Sequence, residues 1–298
     1  MDDSAIKETR LVLRRIQDHL FQAHAGFGAE HESVGLVDVI HHPTNKLPDL
    51  NYVTPRRNTA WVSGKYVQEG LDHLKALNRA PRVQYIEGLY PPLFAKTLRD
   101  LGLEAEAETP LMAFSLAGLN NAGPPLPLPK PIPPTDVRLE LVTDQKGIEL
   151  WWYVWRNAYY DVMTLGVEPL TVGRDMAATR LGQEIDILLH RHNFPVGVIR
   201  LGVQMTTQSA HVVALALLHE VRTPQMTQLL LTAAMRAALA RGCNLIFAPG
   251  ETEADRALNR DLGFVDVGSM VCYAAPSENV NEVVVHDILV QPVLALRR

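Results

Sequence analysis

Cysteine is nearly absent from this chain. Cys243 and Cys272 are the two in 298 residues, and no CxxC pair is present. That excludes a disulfide-rich scaffold and a cysteine zinc ribbon. Each cysteine lies in or beside an expected core strand, so both read as reduced core thiols in a cytoplasmic protein. Long apolar runs are missing too. Nothing approaches the ~18 residues of a membrane span, and the opening MDDSAIKETR lacks the apolar core of a secretion signal. Basic excess is absent: 28 Lys and Arg stand against 33 Asp and Glu, a net charge of −5. A general nucleic-acid binder would carry a basic surface, so neither nucleic acid nor membrane is expected as a partner. There is no GxSxG elbow, no cysteine in a nucleophile setting and no nucleotide-triphosphate loop.

What the chain does have is an ordinary globular composition, 47% hydrophobic and 20% charged, and length for one large or two ordinary domains. Its organising stretch runs from His211 to Tyr273. Val212–Leu218 (VVALALL) suits a strand buried on both faces. A punctuating segment, Glu220 to Gln225, follows. Met226 to Arg241 then keeps Leu229, Leu230, Ala233 and Ala237 on one helical face, with Gly242 where a helix-terminating glycine belongs. Leu245–Ala248 is a second short strand, Glu251 to Asp261 a polar helix, and a final alternating run reaches Tyr273.

Strand, turn, helix, strand, helix, strand is the order of the cofactor-binding half of the GNAT superfamily of N-acetyltransferases. The ending Ala257-Leu258-Asn259-Arg260-Asp261-Leu262-Gly263-Phe264 resembles the family's "lY-x-x-LGF" signature, and the resemblance covers roughly 137–275. It implies an α/β fold with a mixed sheet and acetyl-CoA as cosubstrate. The family's pyrophosphate loop, R/Q-x-x-G-x-G/A, falls on Arg222 to Thr227. On this alignment the cofactor would contact Leu217, Val221, Arg222, Thr223, Gln225, Met226, Thr227 and Gln228. Backbone N–H groups and the helix dipole make such a turn an anion site. Here Arg222 keeps the first position, but Gln225 and Thr227 replace the glycines, and Pro224 has no N–H to donate. The family's tyrosine acid falls on Asn259, which donates a hydrogen bond but delivers no proton.

The first half reads as helix 5–25, strand Val34–Ile40, strand Asn51–Thr54, helix Ser63 to Asn78, strand Val83–Ile86, helix Pro91 to Leu101 and strand Ala107–Phe114. Leu98-Arg99-Asp100-Leu101-Gly102-Leu103 repeats Asn259-Arg260-Asp261-Leu262-Gly263-Phe264 in the same context. This predicts duplication: two tandem GNAT-like units, the first degenerate and without cofactor, with Leu98 at the tyrosine position. The units are expected at 1–119 and 136–298. Between them, 120–135 (NNAGPPLPLPKPIPPT) holds seven of the 20 prolines and reads as a semi-rigid polyproline spacer. The region Glu282–Leu296 is strand-like.

Candidate chemistry is sparse. His41 and His42 read as loop histidines, and His190 and His192 as a strand pair, all without metal. Trp151, Trp152, Trp155, Tyr159 and Tyr160 read as a helix packing its aromatics into the core, with an acceptor pocket as the other reading. Family members often take a general base from the central strand. His211, at that strand's entry, is the candidate, an imidazole whose ordinary pKa suits the role. Two functions fit. One is acetyl transfer from acetyl-CoA to an amine of a small molecule or peptide. The other is a catalytically inactive GNAT-like protein that binds CoA, another ligand or a partner.

Overall fold

A computed structural model describes residues 3–59, 61–116, 128, 133–160 and 166–276. Most of the proline-rich 120–135 stretch and the whole of Glu282–Leu296 lie outside the described residues. The chain forms two compact units. One gathers Met1–Leu111 with the stretch from Asp266, and the other gathers Met112–Val265.

The first unit opens on α1 (Asp3–Gly26), followed by β1 (Glu30–Val34), β2 (Val37–His41), β3 (Tyr52–Pro55), α2 (Gly64–Ala76), β4 (Arg82–Ile86) and α3 (Leu93–Asp100). β5 (Glu104–Ser115) begins here and ends in the second unit. The expected single strand Val34–Ile40 is instead a hairpin. Its turn sits at Gly35, whose φ of +57° is a conformation glycine takes without strain. β2 and β3 pair antiparallel, and β3 and β4 pair parallel at Val53↔Val83. β4 then pairs antiparallel with a strand from late in the sequence, β11 (Val265–Ala274). α2 buries Val67, Leu71 and Leu74. It lies close on the sheet at Gly70, where a Cβ would meet Val37 at 2.8 Å and Val53 at 2.9 Å.

The second unit runs β6 (Val137–Leu141), α4 (Gln145–Tyr160), α5 (Pro169–Arg180), β7 (Glu184–Arg191), β8 (Phe194–Gln204), β9 (Ser209–Leu217), α6 (Pro224–Ala240), β10 (Leu245–Pro249) and α7 (Glu253–Asp261). Its strands lie in the order β10-β9-β8-β7-β6, with the end of β5 beyond β10. α5 starts at Pro169, a residue favoured in a first turn. The β7–β8 hairpin turns on His192 and Asn193, both at positive φ. His192 therefore shares no strand face with His190, which is buried beside Glu140. Cys243 and Cys272 are both buried, and neither is in a disulfide.

α4 is anchored by a buried ionic cluster. Arg200 on β8 donates to both oxygens of Asp186, at 2.7 and 2.6 Å, and to Asp175 on α5 at 2.9 Å. The indole of Trp152 donates to Asp175 at 2.9 Å, and the guanidinium sits 4.4 Å from the Trp151 ring centroid. With Glu184 nearby, three carboxylates face one fully buried Arg200. Burial pushes the Glu184 carboxyl up to about 7, the opposing pull of Arg200 notwithstanding. The helix thereby holds one register, and Trp155 and Tyr159, one and two turns beyond Trp151, project from a fixed base.

Candidate active site

The site begins where two parallel strands part. β9 and β10 pair only over Ser209↔Leu245, Ala210↔Ile246 and His211↔Phe247. On its other side β9 carries a bulge: Arg200 pairs with Ala214 but Leu201 with Val212, leaving Val213 as the extra residue. A bulge bends and twists its strand. Beyond His211, β9 runs on to Leu217 with no further register pair to β10. The opening lies at the carboxyl ends of parallel strands, the usual ligand crevice of such sheets.

Two connected spaces occupy it. The inner one, about 150 Å³, is lined by Trp155, Tyr159, Val212–Leu215, Glu251, Asp255 and Asn259 among others. The outer one, about 780 Å³, shares Tyr159, Leu215, Thr227, Asp255 and Leu258 with it and continues to Arg222, Thr223, Pro224, Gln228 and Asp261. The two readings of the aromatic helix divide between its residues. Trp151 and Trp152 lie in the core, while Trp155 and Tyr159 form a wall of the inner space.

The turn before α6 is committed to closing its own helix. Thr223 caps it, its Oγ1 accepting from Met226 N at 3.3 Å, and Thr227 N bonds Thr223 O at 3.1 Å. Pro224 occupies the first helical position without an N–H. Gln225 is therefore the first residue of the helix with an N–H to offer. Arg222 lines the outer space, its Nη2 donating to Leu217 O at 3.2 Å. Of the residues expected at the cofactor, Leu217, Arg222, Thr223, Thr227 and Gln228 line this space together. Val221 is buried in the core behind it, and neither Gln225 nor Met226 is among its lining residues.

His211 and Asn259 stand differently. His211 is buried one residue before the lining stretch, its ring stacked on Phe247 at 4.4 Å and 7°. Asn259 lines the inner space, and its Nδ2 approaches Met112 Sδ at 3.6 Å.

The groups that sequence reasoning did not select are acidic. Glu251 follows β10 by two residues, and burial, with Asp255 adding to it, pushes its carboxyl above the ordinary glutamate value of 4.5. Asp255 closes a capping box with Thr252 at the start of α7. Burial, reinforced by Glu251, also raises the phenol of Tyr159. The signal for Glu251 was its place just past a parallel strand; Tyr159, which lines the same space, lies far away in the sequence.

α7 ends as the repeat implied. Phe264 N bonds Asn259 O at 3.0 Å and Gly263 N bonds Arg260 O at 2.9 Å, with Gly263 at φ +86°. In the first unit, Leu103 N bonds Leu98 O at 3.1 Å and Gly102 N bonds Arg99 O at 2.9 Å, with Gly102 at φ +77°.

No protein-family model matches the sequence, and no curated protein matches it. Solved structures match the fold. A GCN5-related N-acetyltransferase from Kribbella flavida is similar at 18% identity and a TM-score of 0.66, over 90% of this chain and 97% of that one. A tandem GNAT protein from the clavulanic acid biosynthesis pathway is similar at 11% identity and a TM-score of 0.57, over 93% of this chain and 97% of that one. A GCN5-related N-acetyltransferase from Sphaerobacter thermophilus is similar at 14% identity and a TM-score of 0.54, over 81% of each chain. The chain thus has the GNAT fold, an α/β architecture, and is similar over nearly its whole length to a tandem member.

Proposed function

We propose that the second unit is an acyltransferase that carries an acetyl group from acetyl-CoA to the amine of a small molecule or peptide. The observation that supports this most is the parting of β9 and β10. It opens a slot that runs from the Glu251 carboxylate to the N-terminus of α6. The unpaired edge of β9 beyond His211 offers backbone groups to the amides of an extended pantetheine arm. The turn at Arg222–Gln228 would take the pyrophosphate. It fits less well than the slot, since Pro224 donates nothing and Asp255 and Asp261 face the same space.

In this reading the amine nitrogen attacks the thioester carbonyl carbon, the C–S bond breaks and the thiolate leaves. Glu251, directly or through one water, takes the amine proton. Burial and Asp255 shift its carboxyl upward, the direction a base needs. His211 is the second base candidate; to act it would have to work past Phe247. Asn259 would hydrogen-bond the departing sulfur through Nδ2, in place of its approach to Met112 Sδ, and the thiolate, at a thiol pKa of ~8.5, takes its proton from water. The slot and its carboxylates belong to the second unit, and we assign the first unit no cofactor. Among the described residues no helix is long and apolar enough to cross a membrane, in keeping with the proposed cytoplasmic location.

A second reading, a non-catalytic protein that binds CoA, another ligand or a partner, is favoured by one observation. The α6 N-terminus is already occupied by its own cap and proline. Thermal shift with acetyl-CoA, followed by rate–pH profiles over a panel of amines, separates the two. Glu251→Gln should lower turnover by ~10²-fold or more and remove the acidic limb of the profile. That limb should lie above the ordinary glutamate range, because the base works only when its raised carboxyl is deprotonated. If His211→Ala removes the limb instead, the base is His211. Asn259→Tyr should leave turnover unchanged or raise it, and Asn259→Ala should lower it modestly. An unshifted melting temperature at saturating acetyl-CoA would leave the second reading.

A further inference from the structure

The slot of the second unit is lined by carboxylates that lack a cation of their own. Glu251 and Asp255, both open to solvent, line the inner space, and Asp261 lies along the outer one. The basic side chains around them are committed elsewhere. Arg256 donates to Glu253 Oε2 at 3.0 Å and Gly250 O at 2.8 Å, and Arg260 donates to Glu253 Oε1 at 2.8 Å. Arg222 Nη2 donates to the carbonyls of Leu217 and Ala158. Asp255 accepts from Thr252 in its capping box. Among the described residues neither it, Glu251 nor Asp261 has an ion-pair partner. A cleft lined by one sign of charge concentrates ligands of the other sign.

Two further observations point to a ligand in the same space. α4 supplies the buried Trp155 and, one turn on, Tyr159, their ring centroids 4.1 Å apart. Aromatic faces attract ammonium groups. Asn259 also lines the inner space and is 4% exposed. Its Nδ2 reaches Met112 Sδ at 3.6 Å, while Oδ1 makes no hydrogen bond among the described residues. A buried acceptor left open beside a cavity calls for a donor from a ligand.

We propose that the acceptor is a dication: a primary amine with a second ammonium a few bonds away, in its simplest form an α,ω-diamine. This rests on the acetyl-transfer reading of the second unit. The reacting nitrogen lies at Glu251 and Asn259 Oδ1, which line the inner space alone. The second ammonium lies where the two spaces join, between the carboxylate of Asp255 and the ring of Tyr159, which line both. An inner space of about 150 Å³ takes a guest of about benzene size, which suits an unbranched chain of about four carbons. The reacting nitrogen enters as an ammonium and gives one proton to Glu251. It then bonds the acetyl carbon as the C–S bond breaks, and sheds a second proton as the amide forms. The thiolate takes one proton, so each turnover releases one. The second nitrogen stays protonated throughout.

The test compares 1,4-diaminobutane with 1-aminobutane on the full chain, following thiol release from acetyl-CoA. The two share a reacting group and a chain length. At low ionic strength kcat/KM should be about tenfold or more higher for the diamine, and the gap should narrow in about 0.5 M salt. Mass spectrometry should find the mono-acetylated diamine. Asp255→Asn should shrink the gap by raising KM for the diamine more than it lowers kcat, and Asp255→Glu should restore it. Equal efficiency with the two amines, or a gap that Asp255→Asn leaves intact, would overturn the dication site and leave acetyl transfer standing. Calorimetry with the diamine alone covers the opposite case. Saturable binding that Asp255→Asn weakens, with no turnover of any amine, would uphold the cation site and overturn the transfer. Neither binding nor turnover would overturn both.

Discussion

The two units carry the same helix ending and the same parallel strand pair, and they differ in what lies beyond that pair. In the second unit β9 bulges at Val213, leaves β10 and opens a slot. In the first unit β3 stops at Pro55, and the segment after β4 folds back to meet it. Tyr90, buried, donates to Pro55 O at 3.1 Å and accepts from Gln17 at 3.3 Å. Its ring lies against Tyr85 and Phe94, 6.1 and 5.8 Å between centroids. Glu251 stands at the corresponding place in the second unit, two residues past its strand. One aromatic closes what one carboxylate leaves open. The leading helices differ in kind as well. Inside the core α1 is tied by a neutral contact, His24 Nδ1 to Tyr52 Oη at 3.0 Å, with its Asp18–Arg57 ion pair near the surface, whereas α4 rests on the buried Arg200 and its carboxylates.

Arg200→Met breaks this contrast most severely. It strands Asp186 without its cation and leaves Asp175 to Arg174 alone, and removing one partner of a buried ion pair costs about 3–5 kcal/mol. Denaturant unfolding should show that loss, and any acetyl-CoA affinity should go with it. The first unit's α1 responds to acid through a buried histidine instead. Burial lowers His24 to about 4 from an ordinary 6.5. The unfolded chain therefore binds the extra proton first, and stability is lost as pH falls from about 6.5 towards 4, by up to about 3 kcal/mol. His24→Met should flatten that part of a stability–pH curve; an unchanged slope would place the acid sensitivity elsewhere. Replacing Pro224 and Gln225 by glycine adds a donor and room at the α6 turn. Calorimetry should then give about ten- to a hundredfold tighter acetyl-CoA binding, the worth of one charge-assisted hydrogen bond at 1.5–3 kcal/mol. The smallest effect is expected from Tyr90→Phe, which leaves Pro55 O unpaired at a cost of about 1–3 kcal/mol. It should lower the melting temperature without altering turnover in the second unit.

Much of the fold was legible because it is written in periodicity. The helical face of 226–241, the apolar strands and the RDLG repeat need only local information, and the repeated helix ending matches bond for bond. The slot was not legible, for a local reason as well. VVALALL reads as one uninterrupted buried strand, and nothing in a run of apolar residues marks Val213 as the one that pairs with nothing. The acidic lining was hidden by distance: Tyr159 and Glu251 meet only after two α-helices and four strands intervene. Short positive-φ turns at Gly35 and at His192-Asn193 also escaped, because they interrupt patterns that otherwise continue. The pairing of His41 with Glu30 rests on strand register, which the one-strand reading of 34–40 could not contain.

β11 carries a consequence for the order in which the protein can mature. It is the last strand described, it follows α7 of the second unit, and it pairs with β4 in the first. A nascent chain emerging from the ribosome therefore exposes the β4 edge through the synthesis of some 180 residues between Ile86 and Val265. The first unit is begun first and completed last, while the later half of the sequence supplies its missing strand. Cutting the gene at the proline-rich stretch would give a leading fragment with an open, apolar edge that invites aggregation. The first unit is thus finished by a strand that the chain supplies only after the second.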